Sequence, residues 1–371
     1  MFKFKKLRKV GRSVQIVLVA GLLIVSTLGG TTKLEAVMGG MDSGVTPDYY
    51  GTPNYANSQL PELDTAGKVI PGTGIRKFVD SLPGLGLENK NNLGQYIPVA
   101  VPDTTTYPGS DYYEISLVQY TEQLHSDLQP TTLRGYKQTN TKDPTVSVPN
   151  YFGPMIIAQK DRPVRVKFTN ELPTGSGGDL FLPVDTSLMG AGMTPDGKSM
   201  YTQNRATLHL HGGMTPWISD GTPHQWITPA GEITDYPKGV SVKNVPDMPD
   251  PGPGSMTFFY SNQQSARVMF YHDHSLGLTR LNVYAGEAGG YLIRDKVEQD
   301  LIDQGVIPKD EIPLFIQDKT FVPTDNQLLA TDPTWDKTKW GGQGNLWFPH
   351  VYMPNQNPYD LTGSNPYGRW D

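Results

Sequence analysis

Residues 205–212 read Arg205-Ala206-Thr207-Leu208-His209-Leu210-His211-Gly212, and residues 265–274 read Ser265-Ala266-Arg267-Val268-Met269-Phe270-Tyr271-His272-Asp273-His274. In an extended chain successive side chains point to opposite faces. Leu208 and Leu210 therefore share one face of a strand, and His209 and His211 share the other. Apolar and polar residues also alternate largely along Tyr113–Tyr120 and along Pro163–Asn170, where Val164, Val166 and Phe168 oppose Arg165 and Lys167. Pro154–Ala158 and Gly286–Asp295 are further candidate strands. No stretch reads as a long amphipathic helix. The 40 glycines and 32 prolines make roughly one residue in five, against an average near 12%. Short strands punctuated by turn residues and joined by long irregular connections predict an all-β sandwich.

At 371 residues the chain is long enough for about two domains. Six basic residues between Lys3 and Arg12 precede the apolar run Val14–Leu28, the charged-then-greasy order of an export signal. That run is short of the ~20 residues that span a bilayer, so residues 1–36 are expected to be a signal peptide or N-terminal anchor. They hold one of the 37 acidic residues, Glu35, and seven of the 31 basic ones, which leaves 36 against 24 and a net charge of −12 beyond them. Such a body is a poor partner for nucleic acid or for an anionic membrane surface. A membrane is then met only through residues 1–36. Residues 37–108 carry little periodicity and are expected to form a flexible lead-in segment, with Arg76–Pro83 as a patch that docks onto the body.

Four of the seven histidines sit in the two His-x-His pairs. Residues i and i+2 of a strand lie about 6.6 Å apart on one face, so each pair presents two imidazoles side by side. Neutral imidazole suits zinc, copper, iron and nickel. The rings converge on one metal, as in a mononuclear zinc site, or diverge to serve two. A lone pair is weak evidence. Two pairs at the ends of two strands make a metal site the better reading than surface histidines.

Around these pairs, Thr207–Pro216 with Ser219-Asp220-Gly221, and Phe270–Gly286, resemble the first two copper motifs of multicopper oxidases. The branch they resemble is that of the bacterial spore-coat laccase and the bilirubin oxidases. Lys77-Phe78-Val79-Asp80, Gln123–Leu128 with Thr131–Tyr136, and Tyr260–Gln264 extend the likeness over about residues 76–320. The resemblance implies cupredoxin domains, each a Greek-key β-sandwich, and copper as cofactor. By it His209 corresponds to a type 2 copper ligand, and His211, His272 and His274 to type 3 ligands. Asp220 corresponds to the acid that helps deliver protons during dioxygen reduction, although a turn aspartate before Gly221 reads equally well. Asp273 alternates away from the metal and is expected to be a supporting residue, and His125, His224 and His350 are expected not to be ligands.

The family's third domain supplies four more histidines and a thiolate-bound type 1 copper, and this chain has no cysteine at all. The expected arrangement is a first cupredoxin domain over 109–298, followed by an incomplete second cupredoxin domain over 306–371 that begins with the strand-like Ile312–Phe321. The chain then reads as the N-terminal portion of an exported oxidase, cut in mid-domain. In the full-length parent it would serve dioxygen and a small reducing substrate, which is phenolic, bilirubin-like or a metal ion. Alone it would be inactive. The alternative is a secreted copper-binding module, free-standing or paired with a separate chain that carries the missing ligands.

Overall fold

The computed structural model describes residues 62–70, 73–331 and 333–347. The expected signal, residues 37–61, His350 and the end of the 306–371 stretch lie outside the described residues.

Eight strands build two four-stranded sheets: β1 (Asp111–Glu122), β2 (Thr131–Gln138), β3 (Ile156–Gln159), β4 (Val164–Asn170), β5 (His209–His211), β6 (Ser255–Tyr260), β7 (Arg267–His272) and β8 (Ala288–Arg294). One sheet runs β2-β1-β4-β6 and the other β3-β8-β7-β5. The β1–β4 and β3–β8 pairs are parallel, and the remaining neighbours antiparallel. The architecture is the expected all-β, cupredoxin-like sandwich.

Alternation explains the core. In β4 Val164, Val166 and Phe168 are buried while Arg165, Lys167 and Thr169 are less so. They pack with Tyr113, Ile115 and Leu117 of β1 against Leu210, Tyr271, Tyr291 and Ile293 of the second sheet and against Leu208, just before β5. At roughly 1.5–3 kcal/mol per fully buried large apolar side chain, this layer dominates the favourable side of folding. Gly289 is required by close approach, because a Cβ there would lie 2.4 Å from the Tyr271 ring.

Alternation did not reveal β2 and β6. In β2 both faces are covered, and its burial pattern has no two-residue period. One face meets the sandwich, and the other meets a second apolar cluster in which Leu133 packs with Leu180, Leu182 and Leu278. Conversely, the strand expected over Arg205–His211 is shorter. Ladder pairing covers only His209–His211, because the Thr207 amide donates to the Asp273 carboxylate at 2.9 Å.

The lead-in expected to be flexible over 37–108 is docked along much of its later part. Ile97 and Ala100 are buried, and the Ala100 and Met155 amides donate to Met155 O and Pro98 O across a parallel bridge. The Arg76–Pro83 patch docks through polar groups. Arg76 Nη2 meets Asp127 Oδ1 at 2.7 Å and Asp80 accepts from the Ser126 amide, while Phe78 is fully exposed.

Ile312–Phe321, expected to open a second domain as a strand, forms no strand. Phe321 makes an isolated bridge with Leu346. Its two phenylalanines pack on the first unit, while Ile312, Leu314 and Ile316 remain exposed. Phe315 lies over Gly290 and stacks on Phe152, and Val322, Leu328, Trp335, Leu346 and Trp347 join the Leu133 cluster. Two helices follow Phe321, Asp325–Thr331 and Lys337–Trp340. Two others, Thr279–Ala285 and Lys296–Asp303, flank β8. Among the described residues no helix is long and apolar enough to cross a membrane.

Candidate metal centre

The site forms where the edge strand β5 pairs antiparallel with the end of β7. The register sets His209 opposite His272 and His211 opposite Phe270. Two pairs sixty residues apart in sequence thus meet at one sheet edge. One nitrogen each from His209, His211 and His272 lies within 4.8 Å of the others. His274, just past the strand, stacks on His209 with ring centroids 4.7 Å apart. The structure therefore brings three of the four expected histidines into one cluster and sets the fourth against it.

The ring orientations suit metal ligation. His209 Nδ1 contacts the backbone carbonyl of Asp220, and His272 Nδ1 that of Asp273. A carbonyl accepts only, so each Nδ1 carries the proton and each Nε2 keeps its lone pair, the usual way a ligating imidazole is oriented. His272 Nε2 then faces His211 Nδ1 at 3.2 Å. Two nitrogens bound at about 2.0 Å to one ion can be at most about 4 Å apart, so this pair fits a shared ion. His274 Nδ1 is buried without a hydrogen-bond partner, the Gly221 backbone lying near it. Burial pulls the His272 imidazolium down to about 4, with the three neighbouring rings adding to the fall. The ring is thus neutral and able to bind a metal at ordinary pH. This all-imidazole donor set, with the tautomers of His209 and His272 fixed, fits copper.

Around the rings, Phe270 stacks on His211 at 4.6 Å and on His272 at 5.2 Å. Its position two residues before His272, on the same strand face, is the signal that could have marked it. Gln264 holds the loop after β5, accepting from the Met214 amide and donating to Gly212 O. Gly221 sits at φ +67°, and a Cβ there would lie 2.2 Å from Leu208 O, so only glycine lets this turn carry Asp220 beside His209. The Asp220 carboxylate accepts from Thr215 Oγ1 at 3.1 Å, lies 3.9 Å from His209 Nδ1, and is 38% exposed.

Asp273 is turned the other way. It is fully buried and accepts from the Thr207 and Ser275 amides, Ser275 Oγ and Asn282 Nδ2, all within 3.0 Å. Asn282 in turn accepts from Arg134, which meets Glu287 at 3.4 Å, and all three are fully buried. Burial raises the Asp273 and Glu287 carboxyls and lowers Arg134, so each charge in this layer depends on the others. Arg205, buried beside them, lies between the Tyr201 and Trp226 rings, each centroid 4.8 Å away. Arg134, Arg205 and Glu287 were not legible as site-supporting residues, because charged residues in strand-like sequence are normally solvated. His125 is engaged elsewhere, with Nε2 on Arg76 O and Nδ1 accepting from the Asp127 amide.

No family model matches the chain. It is similar to a laccase of Bacillus stratosphericus, 36% identical over 251 residues that make 67% of this chain and 38% of that protein. A laccase of Haloferax volcanii is 31% identical over 265 residues, 71% of this chain and 38% of the relative. A bilirubin oxidase of Albifimbria verrucaria is 24% identical over 255 residues, 69% of this chain and 32% of the relative. The chain thus spans between 32% and 38% of the length of these relatives. Among solved structures, the multicopper oxidase McoA of Aquifex aeolicus matches 70% of this chain and 38% of its own at 20% identity and a TM-score of 0.38. The relatives' shared character implies copper. Over the two thirds of its length that align with these enzymes, the chain belongs to the multicopper oxidase family.

Proposed function

We propose that this chain supplies half of the histidines of a trinuclear copper cluster in an exported, laccase-like oxidase. The observation that carries this is the meeting of both His-x-His pairs at the β5–β7 edge, with three ring nitrogens within 4.8 Å of one another. In this reading His209 holds a type 2 copper, and His211, His272 and His274 hold the type 3 pair. Copper bound there would supply the one-electron steps that couple oxidation of a small reducing substrate to reduction of dioxygen. Asp220, half exposed and close to His209, carries protons inward from solvent. The remaining ligands come from another domain or another chain, since without cysteine these residues offer no thiolate for a type 1 centre. Residues 109–298 act as the first cupredoxin domain, 306–371 belong to the second, and residues 1–36 direct export.

The test is copper content measured together with dioxygen uptake and phenolic dye oxidation on the purified chain. The expected result is bound, exchangeable copper with no turnover until the missing ligands are supplied. Turnover at an oxidase-like rate by the chain alone, or failure to bind copper at all, would overturn the reading.

A further inference from the structure

A cavity of about 400 Å³ opens between the docked lead-in, the end of β1 and residues 313–321. None of the four site histidines lines it. Its size falls in the range of small-molecule sites. Its walls are aromatic: Phe152 stacks on Phe315 at 4.7 Å with 23° between the ring planes, and Tyr96 and Phe321 stand beside them.

Most polar groups in the cavity already have partners. Glu122 accepts from Gln95 Nε2 at 2.9 Å and from the Tyr151 amide at 2.8 Å. Gln317 accepts from the Tyr151 hydroxyl. Lys319 is different. Its ammonium donates to the Tyr284 carbonyl and lies 4.7 Å from the Tyr284 ring and 5.3 Å from that of Tyr151. Asp318, its chain neighbour, acts on it only from a distance, and burial draws Lys319 down to about 7. A cation with three donors thus has one neutral acceptor and two ring faces. Among the described residues no anion pairs with it.

A single cation and stacked flat walls select a flat ring bearing one negative charge. A phosphate would need more donors than Lys319 provides and would bring more negative charge toward Glu122. We propose that this cavity binds a small aromatic carboxylate, its ring against Phe152 and Phe315 and its carboxylate on Lys319. This does not rest on the copper reading.

Isothermal titration of the full chain with benzoate, and with neutral benzamide of the same shape, tests it. Benzoate is expected to bind saturably and about tenfold or more tighter than benzamide. Lys319→Met should erase that preference, and Lys319→Arg should keep it. Leu314→Trp, a substitution at an exposed lining residue, should block both compounds. Thermal melts check that each variant folds, and Lys319→Arg and Leu314→Trp still decide the matter if Lys319→Met does not. Equal affinity for the two compounds, unchanged benzoate binding in Lys319→Met or Leu314→Trp, or no saturable binding of benzoate would overturn the proposal.

Discussion

The two sides of residues 272–274 are built on opposite principles. On one side His272 and His274 face His209 across a sheet edge, with His272 and His209 held through Nδ1 by backbone carbonyls so that each Nε2 is left for a metal. On the other, Asp273 is fully buried and meets four donors, backed by Asn282, Arg134 and Glu287. Three consecutive residues thus serve an incomplete surface and a completed interior. The rigidity of the metal side is supplied from behind. A buried carboxylate that accepts every nearby donor locks the backbone whose carbonyl orients His272.

The largest effect is expected from Asp273→Ala. It strands the Thr207 and Ser275 amides and removes negative charge beside Arg134 and Arg205. The expected loss is about 3–5 kcal/mol of stability, measured by urea unfolding. A loss below about 1 kcal/mol would mean that the interior layer is not what holds the site.

Replacing His272 and His274 together by alanine attacks the other side. Copper uptake should fall to near background while circular dichroism keeps its β-rich form, with a stability cost of only about 1–2 kcal/mol for the buried His272 ring. Unchanged copper stoichiometry would remove these two histidines from the ligand set. A stability cost as large as that of Asp273→Ala would erase the distinction between the two sides.

The smallest effect lies away from both. The Arg76 guanidinium and amide hold the Asp127 carboxyl below its ordinary value. A depressed carboxyl contributes stability that is fully present above its unfolded pKa, near 3.9, and is lost as pH falls through the lower folded value. The docked lead-in should therefore stay protected at pH 5 and loosen only below about 4. Amide exchange over residues 73–100 as pH is lowered measures this. Loosening already at pH 6, or none on full acidification, would show that Asp127 is not the clasp.

Much of this was legible before any coordinates. The strands with one buried face announced themselves through period-two alternation, and β4 is the clearest case. The histidine pairs were legible because four rings in two short motifs are hard to explain otherwise. The strands β2 and β6 were not, since elements covered on both faces lose the alternation that marks a strand. The packing of Phe315 and Phe321 on the first unit, with Ile312, Leu314 and Ile316 left exposed, was also illegible, because an apolar run does not state which of its residues will be buried or against what.

The amino-acid order alone determined which chemistry this protein carries: imidazole donors in strand-spaced pairs, no thiolate, and a strongly acidic balance beyond residue 36. Local geometry suffices for that, because side chains two apart in a strand always share a face. Only the tertiary structure decided that His209 faces His272, that His274 stacks on His209 outside the tighter cluster, and that Lys319 lies between two tyrosine rings with no carboxylate paired to it among the described residues. Those facts depend on register and packing between segments distant in sequence, where cross-strand pairing and burial outweigh any local preference.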